Sequence, residues 1–287
     1  RRPVASMATT RGCPYECTFC STIQMWTRNW RKVSIDRVVE EIEDLQKNYG
    51  VREIAFYDDA FLIDRKRVLG ICEEIIKRKL DIKFTIPPGI NVINLDEELI
   101  IKMKQAGLYR VTLPIETGNK ETQKFIKKPI DLDHARKMID VCNRKGIWSQ
   151  ANFVVGFLYE TQSQVDETLE YSYSLNLDYI FYYVAQPYAG SELYEIYEEQ
   201  NLLDGKYDSM STMWDTKYET KHFKPEDLRK ITDEAMKKHF KIRVLSYLNP
   251  IYFFQFLWPK IKTWEQFKFF LGIVFNREKV KNIIINQ

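Results

Sequence analysis

The chain has 287 residues, of which 45% are hydrophobic and 29% are charged, and its formal net charge is only +3. These values are those of a globular protein with one large core, and the small net charge indicates no particular partner. No stretch of about 20 apolar residues is present, so we expect no membrane-spanning helix. No apolar run precedes the first motif, so we expect no signal peptide.

Strand and helix patterns alternate along the first 200 residues. Six stretches are predicted to be strands: residues 4–10, Glu53–Tyr57, Lys83–Ile86, Arg110–Pro114, Ala151–Gly156 and Asp178–Val184. A helical pattern follows each of them, and Ser34 and Asp64 stand where they would cap the first two helices. This alternation predicts an α/β fold with a parallel sheet. A curved sheet or open barrel with polar motifs at the carboxyl ends of its strands fits best, and a flat doubly wound sheet is the alternative.

Three cysteines follow the first predicted strand within eight residues, as Cys13, Cys17 and Cys20 in the spacing C-x3-C-x2-C. One loop thus offers three thiolates, one fewer than usually hold an iron–sulfur cubane, so one iron would keep an open position. Structural zinc sites are closed by four ligands, and no second C-x2-C pair exists here. A disulfide would leave an odd cysteine in the loop. The histidines stand outside any motif: His134, His222 and His239. The spacing therefore favours an iron–sulfur cluster with one open iron position.

The other two cysteines show a structural pattern. Cys72 and Cys142 each belong to an apolar series with helical spacing, and a free cysteine behaves as a small hydrophobic residue. We therefore expect no second cluster. Free thiols without a pairing pattern also favour a reducing, cytoplasmic compartment.

The cysteine spacing resembles the signature of the radical S-adenosylmethionine (SAM) superfamily, and Phe19 is similar to the aromatic residue that packs near the adenine in that family. The resemblance implies a partial (β/α)6 TIM-like barrel with parallel strands over roughly residues 3–200, with the cluster loop after the first strand. It also implies that Cys13, Cys17 and Cys20 are the ligands of a [4Fe-4S] cluster. The open iron would take the amino and carboxylate groups of SAM.

Acidic residues after two further strands extend the resemblance. Asp58 and Asp59 resemble the motif that receives the methionyl amino group of SAM, in the form found in the cobalamin-associated branch. A pair of solvated loop acids or a magnesium site is the alternative. Glu116 resembles the acid of a Gly-Ile-Glu-Ser-Gly element that faces SAM, with Pro114 in place of the usual glycine. The alternative for Glu116 is an ordinary exposed loop residue.

Asn152, Gly156 and Phe157 belong to an element at the end of the fifth predicted strand. It resembles the segment whose backbone borders the adenine of SAM, and a glycine there permits close approach to a ligand. We therefore expect these three residues to contact SAM. The family's Pro-Gly-Glu-Thr continuation is replaced by Leu-Tyr-Glu-Thr at residues 158–161, which reshapes the neighbouring loop.

The resemblance implies an enzyme that reductively cleaves SAM at the cluster to generate a 5′-deoxyadenosyl radical. The radical would serve methylation, cyclisation or rearrangement of an unreactive small molecule or lipid-like substrate, with a reductant of the flavodoxin or ferredoxin type. Because the chain begins at Arg1, close to the cysteine loop, we expect a missing upstream domain, which binds cobalamin in the cobalamin-associated branch. The non-enzymatic alternative is an iron–sulfur electron-transfer or scaffold protein without SAM chemistry.

Two regions are predicted: a core barrel at residues 1–205 and a mostly helical extension at residues 206–287. From Ala235 to Gln287 there are ten Lys and Arg residues against two Glu, and twelve aromatic residues lie between Phe240 and Phe275. The aromatic residues either pack onto the barrel or a missing domain, or they form a basic surface in peripheral contact with a membrane. No RNA-reading module is visible, so we expect no nucleic-acid partner.

Overall fold

The computed structural model describes residues 3–203 and 216–261, together with Trp264, Phe267 and Lys268. Strands β1, β4, β5, β6, β7 and β8 form one parallel sheet in that order, and β2 pairs antiparallel with β3. The bounds of the strands are β1 (Val4–Met7), β2 (Thr10–Arg11), β3 (Arg31–Lys32), β4 (Glu53–Phe56), β5 (Lys83–Ile86), β6 (Leu108–Glu116), β7 (Trp148–Val155) and β8 (Tyr179–Val184).

The helices begin at the predicted caps. Ser34 accepts a hydrogen bond from the backbone of Arg37, and Asp64 accepts one from Arg67 N at 3.0 Å. Such bonds satisfy amide groups that have no partner within the helix. The bounds of the helices are α1 (Thr22–Trp26), α2 (Ile35–Tyr49), α3 (Arg65–Lys77), α4 (Glu97–Ala106), α5 (Lys120–Ile126), α6 (Leu132–Arg144), α7 (Gln162–Tyr173), α8 (Glu192–Glu199), α9 (Pro225–Tyr247) and α10 (Pro250–Tyr252).

The six parallel strands confirm the predicted partial (β/α)6 barrel. The sheet is open, because β1 and β8 lie at its two edges. Side chains alternate between the two faces of a strand. One face is covered by helices and is apolar, and Ile54, Leu113 and Phe153 on it are fully buried. The opposite, concave face carries polar residues such as Gln150 and Asn152, which are half-exposed. The core therefore lies between sheet and helices, while the concave face stays open.

The C-terminal helices are present as predicted, and buried polar contacts hold them to the amino-terminal end of the sheet. Lys260 Nζ lies 2.6 Å from Asp178 Oδ1, just before β8, and 2.6 Å from Asn143 Oδ1. Arg243 of α9 donates a hydrogen bond to the carbonyl of Leu175 at 3.0 Å. Because both cations are buried and bonded, this end of the extension has one defined position on the barrel.

The boundary predicted between residues 205 and 206 lies outside the described residues. Within the described part of the chain, no helix combines the length and apolar character needed to cross a bilayer.

Candidate active site

A cleft opens at the carboxyl ends of the central strands, with an empty volume of about 760 Å³ that is partly continuous with solvent. Parallel α/β sheets bind ligands at this edge, because the strand ends leave a crevice between their loops. The cysteine loop, the segments after β4 and β5, the end of β6 and Lys128 after α5 line the cleft. Six of the residues selected from the sequence lie in this lining: Cys13, Cys17, Phe19, Cys20, Asp59 and Glu116.

Hydrogen bonds from distant segments hold the cysteine loop. Gly12 N donates to Asp59 Oδ2 at 3.0 Å, so the acid after β4 anchors the start of the loop. Thr18 Oγ1 donates to the carbonyl of Phe125 at 2.7 Å, which anchors the middle. Gly12 has a φ of 84°, and a Cβ there would lie 2.4 Å from the carbonyl oxygen of Asn29. A glycine is therefore required directly before the first cysteine.

The three loop thiols are half-buried and form no disulfide. Burial raises the pKa of Cys13 and raises the pKa of Cys17 to about 12, while the nearby charge of Lys128 opposes the rise in both. A further positive charge would favour ionisation of Cys13 and Cys17, and a coordinating metal ion supplies one.

The donor set fits a cluster better than a single ion. Among the described residues, no three His, Cys, Asp or Glu side chains converge closely enough to hold one metal ion. A structural zinc site requires such convergence. A cubane does not, because each thiolate binds a different iron.

A buried ion pair lies beside the thiols. Lys128 Nζ is 2.5 Å from Glu116 Oε1, and the two side chains are only 10% and 8% exposed. Glu116 lies at a register shift between β6 and β7 and has a φ of 69°. A residue other than glycine with a left-handed backbone conformation lowers stability by about 1–3 kcal/mol, and such strain concentrates at functional sites. Glu116 is thus not the ordinary exposed loop acid that the sequence left open.

The two adjacent aspartates have different surroundings. Asp59 lines the cleft, whereas Asp58 is fully buried and accepts hydrogen bonds from Thr9 N at 3.0 Å and Thr9 Oγ1 at 2.8 Å. Burial raises the pKa of Asp58, and its hydrogen bonds and the charge of Arg67 oppose the rise. Asp58 therefore joins the ends of β1 and β4 beneath the cysteine loop. A direct contact between Asp58 and SAM stays a prediction.

The turn after β7 lies behind the cleft rather than in its lining. Phe157 is buried, and its ring centroid is 5.9 Å from that of Phe19, which does line the cleft. Gly156 has a φ of 82°, and a Cβ there would come within 2.6 Å of the Leu228 side chain on α9. The turn and the packing of α9 thus already require this glycine. Contacts of Gly156 and Phe157 with SAM stay predictions.

Asn152 lies on the strand next to the cleft. It is in register with Pro114, whose side chain lines the cleft, so both residues face the same side of the sheet. Gly89 has a φ of 97°, and a Cβ there would come within 2.7 Å of Pro114 Cδ. The proline that replaces the usual family glycine is therefore accommodated by a glycine on the neighbouring loop.

A family model described as the radical SAM superfamily matches residues 7–172, more than half of the chain. The chain belongs to the radical SAM superfamily. Membership confirms the resemblance seen in the cysteine spacing and the predicted enzyme class. It implies a [4Fe-4S] cluster and SAM as cofactors, as predicted, and it supports radical SAM chemistry over the electron-transfer or scaffold alternative.

Curated relatives cover most of this radical SAM chain. An uncharacterized methyltransferase of Pyrococcus horikoshii is 32% identical over 233 residues, which are 81% of this chain and 50% of the relative. Anaerobic magnesium-protoporphyrin IX monomethyl ester cyclase of Rubrivivax gelatinosus is 31% identical over 64% of this chain and 33% of the relative. Cytidylyl-2-hydroxyethylphosphonate methyltransferase of Streptomyces wedmorensis is 27% identical over 70% of this chain and 39% of the relative. The chain thus spans between a third and a half of the length of these relatives.

Solved radical SAM structures share the fold. The radical SAM methyltransferase TsrM from Kitasatospora setae, with cobalamin and a [4Fe-4S] cluster bound, superposes with a TM-score of 0.63 at 16% identity, covering 79% of this chain and 46% of that one. The cobalamin-dependent enzyme OxsB superposes with a TM-score of 0.64 at 16% identity, and the match covers 85% of this chain and 46% of OxsB. At these identities the likeness shows a common architecture.

Sequence reasoning missed one residue of the cleft lining, Lys128, and one residue behind the cleft, Glu160. Lys128 directly follows Lys127, which pairs with the exposed Glu192, and no local pattern distinguishes the two lysines. Glu160 accepts hydrogen bonds from Gly156 N at 2.7 Å and from Phe157 N at 3.2 Å, so it holds the turn after β7. Its place within the family's Pro-Gly-Glu-Thr segment was the one available signal.

Glu160 is expected to make stability depend on pH. Burial raises its pKa from 4.5 to about 7, against opposing hydrogen bonds from Gly156, Phe157 and Thr122. Between about pH 4.5 and 7 the carboxyl of Glu160 ionises in the unfolded chain but keeps its proton in the folded protein. The free energy of unfolding therefore falls as pH rises through this range and levels off above pH 7. The free energy of unfolding of Glu160→Gln, taken relative to wild type, should therefore be about 2–3 kcal/mol larger at pH 8 than at pH 5.

Urea unfolding of wild type and variant at both pH values measures this change. Glu121→Gln, at an exposed carboxylate paired with Lys124, is the control and should show no comparable change. If the free energies of unfolding of wild type and Glu160→Gln differ by the same amount at pH 5 and pH 8, the pKa of the Glu160 carboxyl is not raised.

Proposed function

We propose that this chain is the catalytic barrel of a cobalamin-dependent radical SAM enzyme that methylates or cyclises an unreactive small molecule. The observation that carries the proposal is a single cleft at the strand ends that holds three thiols of one loop beside a buried Lys–Glu pair. The relatives support the reaction class, since they are named as methyltransferases and as a cyclase.

Cys13, Cys17 and Cys20 would hold the [4Fe-4S] cluster, which together with SAM supplies a 5′-deoxyadenosyl radical when both are bound. The chain's share is to fix the loop and to exclude water. Asp59 holds the loop through its bond to Gly12 N.

SAM binding is assigned to the polar and aromatic lining of the cleft. Lys128 presents a cation to the methionyl carboxylate, and Glu116 presents an acceptor to the methionyl ammonium group. Both are already buried and paired, so exchanging partners with SAM leaves neither charge uncompensated. Phe19, backed by Phe157, offers an apolar surface for the adenine. Asn152 faces the same side as Pro114 and is assigned to SAM as a polar contact.

The other partners follow from the class of enzyme. Cobalamin is assigned to a companion domain, because the chain spans at most half of its curated relatives and the solved TsrM and OxsB structures contain cobalamin. The substrate is a small molecule, and a flavodoxin or ferredoxin type of protein supplies the electron. All five cysteines are free, which suits a cytoplasmic location.

Anaerobic reconstitution with iron and sulfide tests the proposal. We expect a reduced cluster with a paramagnetic spectrum that changes when SAM is added, and 5′-deoxyadenosine formed from SAM in the presence of dithionite. An electron carrier would show the cluster spectrum without any response to SAM. A reconstituted cluster that neither responds to SAM nor forms 5′-deoxyadenosine would overturn the proposal.

A further inference from the structure

The C-terminal helices bury several polar residues and expose several large apolar ones. His239, Arg243 and Lys260 are buried against the barrel. Five large apolar side chains, here named the outer stripe, are between 53% and 76% exposed: Leu245, Leu248, Ile251, Phe254 and Trp258. The side of an amphipathic helix that packs on the core normally carries its apolar residues, as Leu228, Ala235 and Leu257 do here. The outer stripe is therefore not the part of these helices that packs on the core.

The outer stripe consists of two groups of side chains that follow each other along the chain. Leu245 and Leu248 lie on one face at the end of α9, and Ile251, Phe254 and Trp258 follow the extended residue Asn249 at intervals of three and four residues. The rings of Phe254 and Trp258 are 6.3 Å apart between centroids. Several large exposed apolar side chains within 14 residues are more than the single exposed ones that are normal on monomeric proteins, and such surfaces mark interaction sites.

Cations extend the face of α9 that carries Leu245 and Leu248. Lys241 and Lys237 are exposed and lie one and two turns before Leu245, and neither forms an ion pair with any residue that the structure describes. No Asp or Glu occurs between Ala235 and Ile261. An apolar surface with flanking cations is complementary to anionic headgroups above acyl chains. Tryptophan is also enriched at the interface between membrane and water.

We propose that the outer stripe rests on an anionic membrane surface, with its apolar side chains between the headgroups and with Lys237 and Lys241 against the phosphates. The stripe is anchored through Lys260 near the amino-terminal end of β8, whereas the cleft lies at the carboxyl ends of the strands. Membrane contact therefore leaves the cleft open, and it does not depend on the radical SAM function proposed above. An enzyme held in this way is suited to a lipid-like substrate.

Co-sedimentation of the full chain with vesicles tests this surface. The chain should pellet with vesicles of phosphatidylglycerol and phosphatidylcholine in equal amounts, more weakly at high salt, and far less with phosphatidylcholine alone. Phe254→Asp combined with Trp258→Asp should lower the bound fraction at least about tenfold. Lys237→Glu combined with Lys241→Glu should remove the preference for anionic vesicles. Tyr49→Asp, at an equally exposed ring on α2, is the matched control and should bind like wild type.

Each variant should keep the wild-type thermal midpoint and cluster content, because the substituted side chains are exposed and none of them lines the cleft. Absence of wild-type binding to anionic vesicles would overturn the proposal. So would unchanged binding of the Phe254→Asp and Trp258→Asp variant. Sedimentation velocity supplies a third outcome: a wild-type dimer that this variant converts to a monomer would assign the surface to a second copy of the chain instead.

Discussion

Cys17→Ala is expected to lower 5′-deoxyadenosine formation from SAM at least about a thousandfold, because the cluster would lose one of only three protein ligands. The same loss is expected for Cys13→Ala and Cys20→Ala, since all three thiols line one cleft. The measurements are iron content and 5′-deoxyadenosine after anaerobic reconstitution and reduction. Any of these variants that still forms 5′-deoxyadenosine at the wild-type rate would remove that cysteine from the cluster.

Cys72→Ala supplies the matched control. Cys72 is buried on α3, within the apolar core and away from the cleft. Its removal should cost about 1 kcal/mol of unfolding free energy and leave iron content and SAM cleavage close to wild type. A loss of activity in Cys72→Ala as large as in Cys17→Ala would mean that the assay reports folding rather than ligation.

Lys128→Met is expected to destabilise the protein by about 3–5 kcal/mol, because it leaves the buried carboxylate of Glu116 without its partner. The double variant Lys128→Met with Glu116→Gln should regain most of this stability, since no buried charge is then uncompensated. It should nevertheless bind SAM at least about tenfold more weakly, because the cleft has lost both groups assigned to the methionyl end. Urea unfolding measures the first quantity, and equilibrium dialysis of reconstituted protein with SAM measures the second.

Lys127→Met tests the same residue type one position earlier. Lys127 pairs with Glu192 at the surface, where both side chains are more than 40% exposed. Its replacement should cost less than about 1 kcal/mol and leave SAM binding unchanged. A double variant at Lys128 and Glu116 that is stable and binds SAM like wild type would limit the buried pair to a structural role.

Local sequence patterns were sufficient for the fold class and for the cysteine loop. Caps such as Ser34 and Asp64 act within three residues, and a strand or helix period is a property of the segment itself. The single strand predicted over residues 4–10 was less accurate, because β1 ends at Met7 and Thr10 belongs to β2. That division depends on a partner 20 or more residues away, since β2 exists only through its pairing with β3.

The C-x3-C-x2-C spacing after the first strand of a β/α series was enough to predict three cysteine ligands for an iron–sulfur cluster. Which charges surround those cysteines became visible only in the folded chain. It buries Lys128 and leaves Lys127 at the surface, and it buries Asp58 under the loop while Asp59 lines the cleft. Burial and ion pairing depend on elements far apart in the chain. Two adjacent residues of the same type can therefore have different environments.

The same reason explains the C-terminal helices. Composition showed that they are basic and aromatic, with both packing and membrane contact left open. The structure turned Arg243 inward to the carbonyl of Leu175 and left Phe254 and Trp258 exposed. That orientation is set by acceptors on the barrel, because a buried cation requires hydrogen-bond partners whereas an exposed apolar side chain does not.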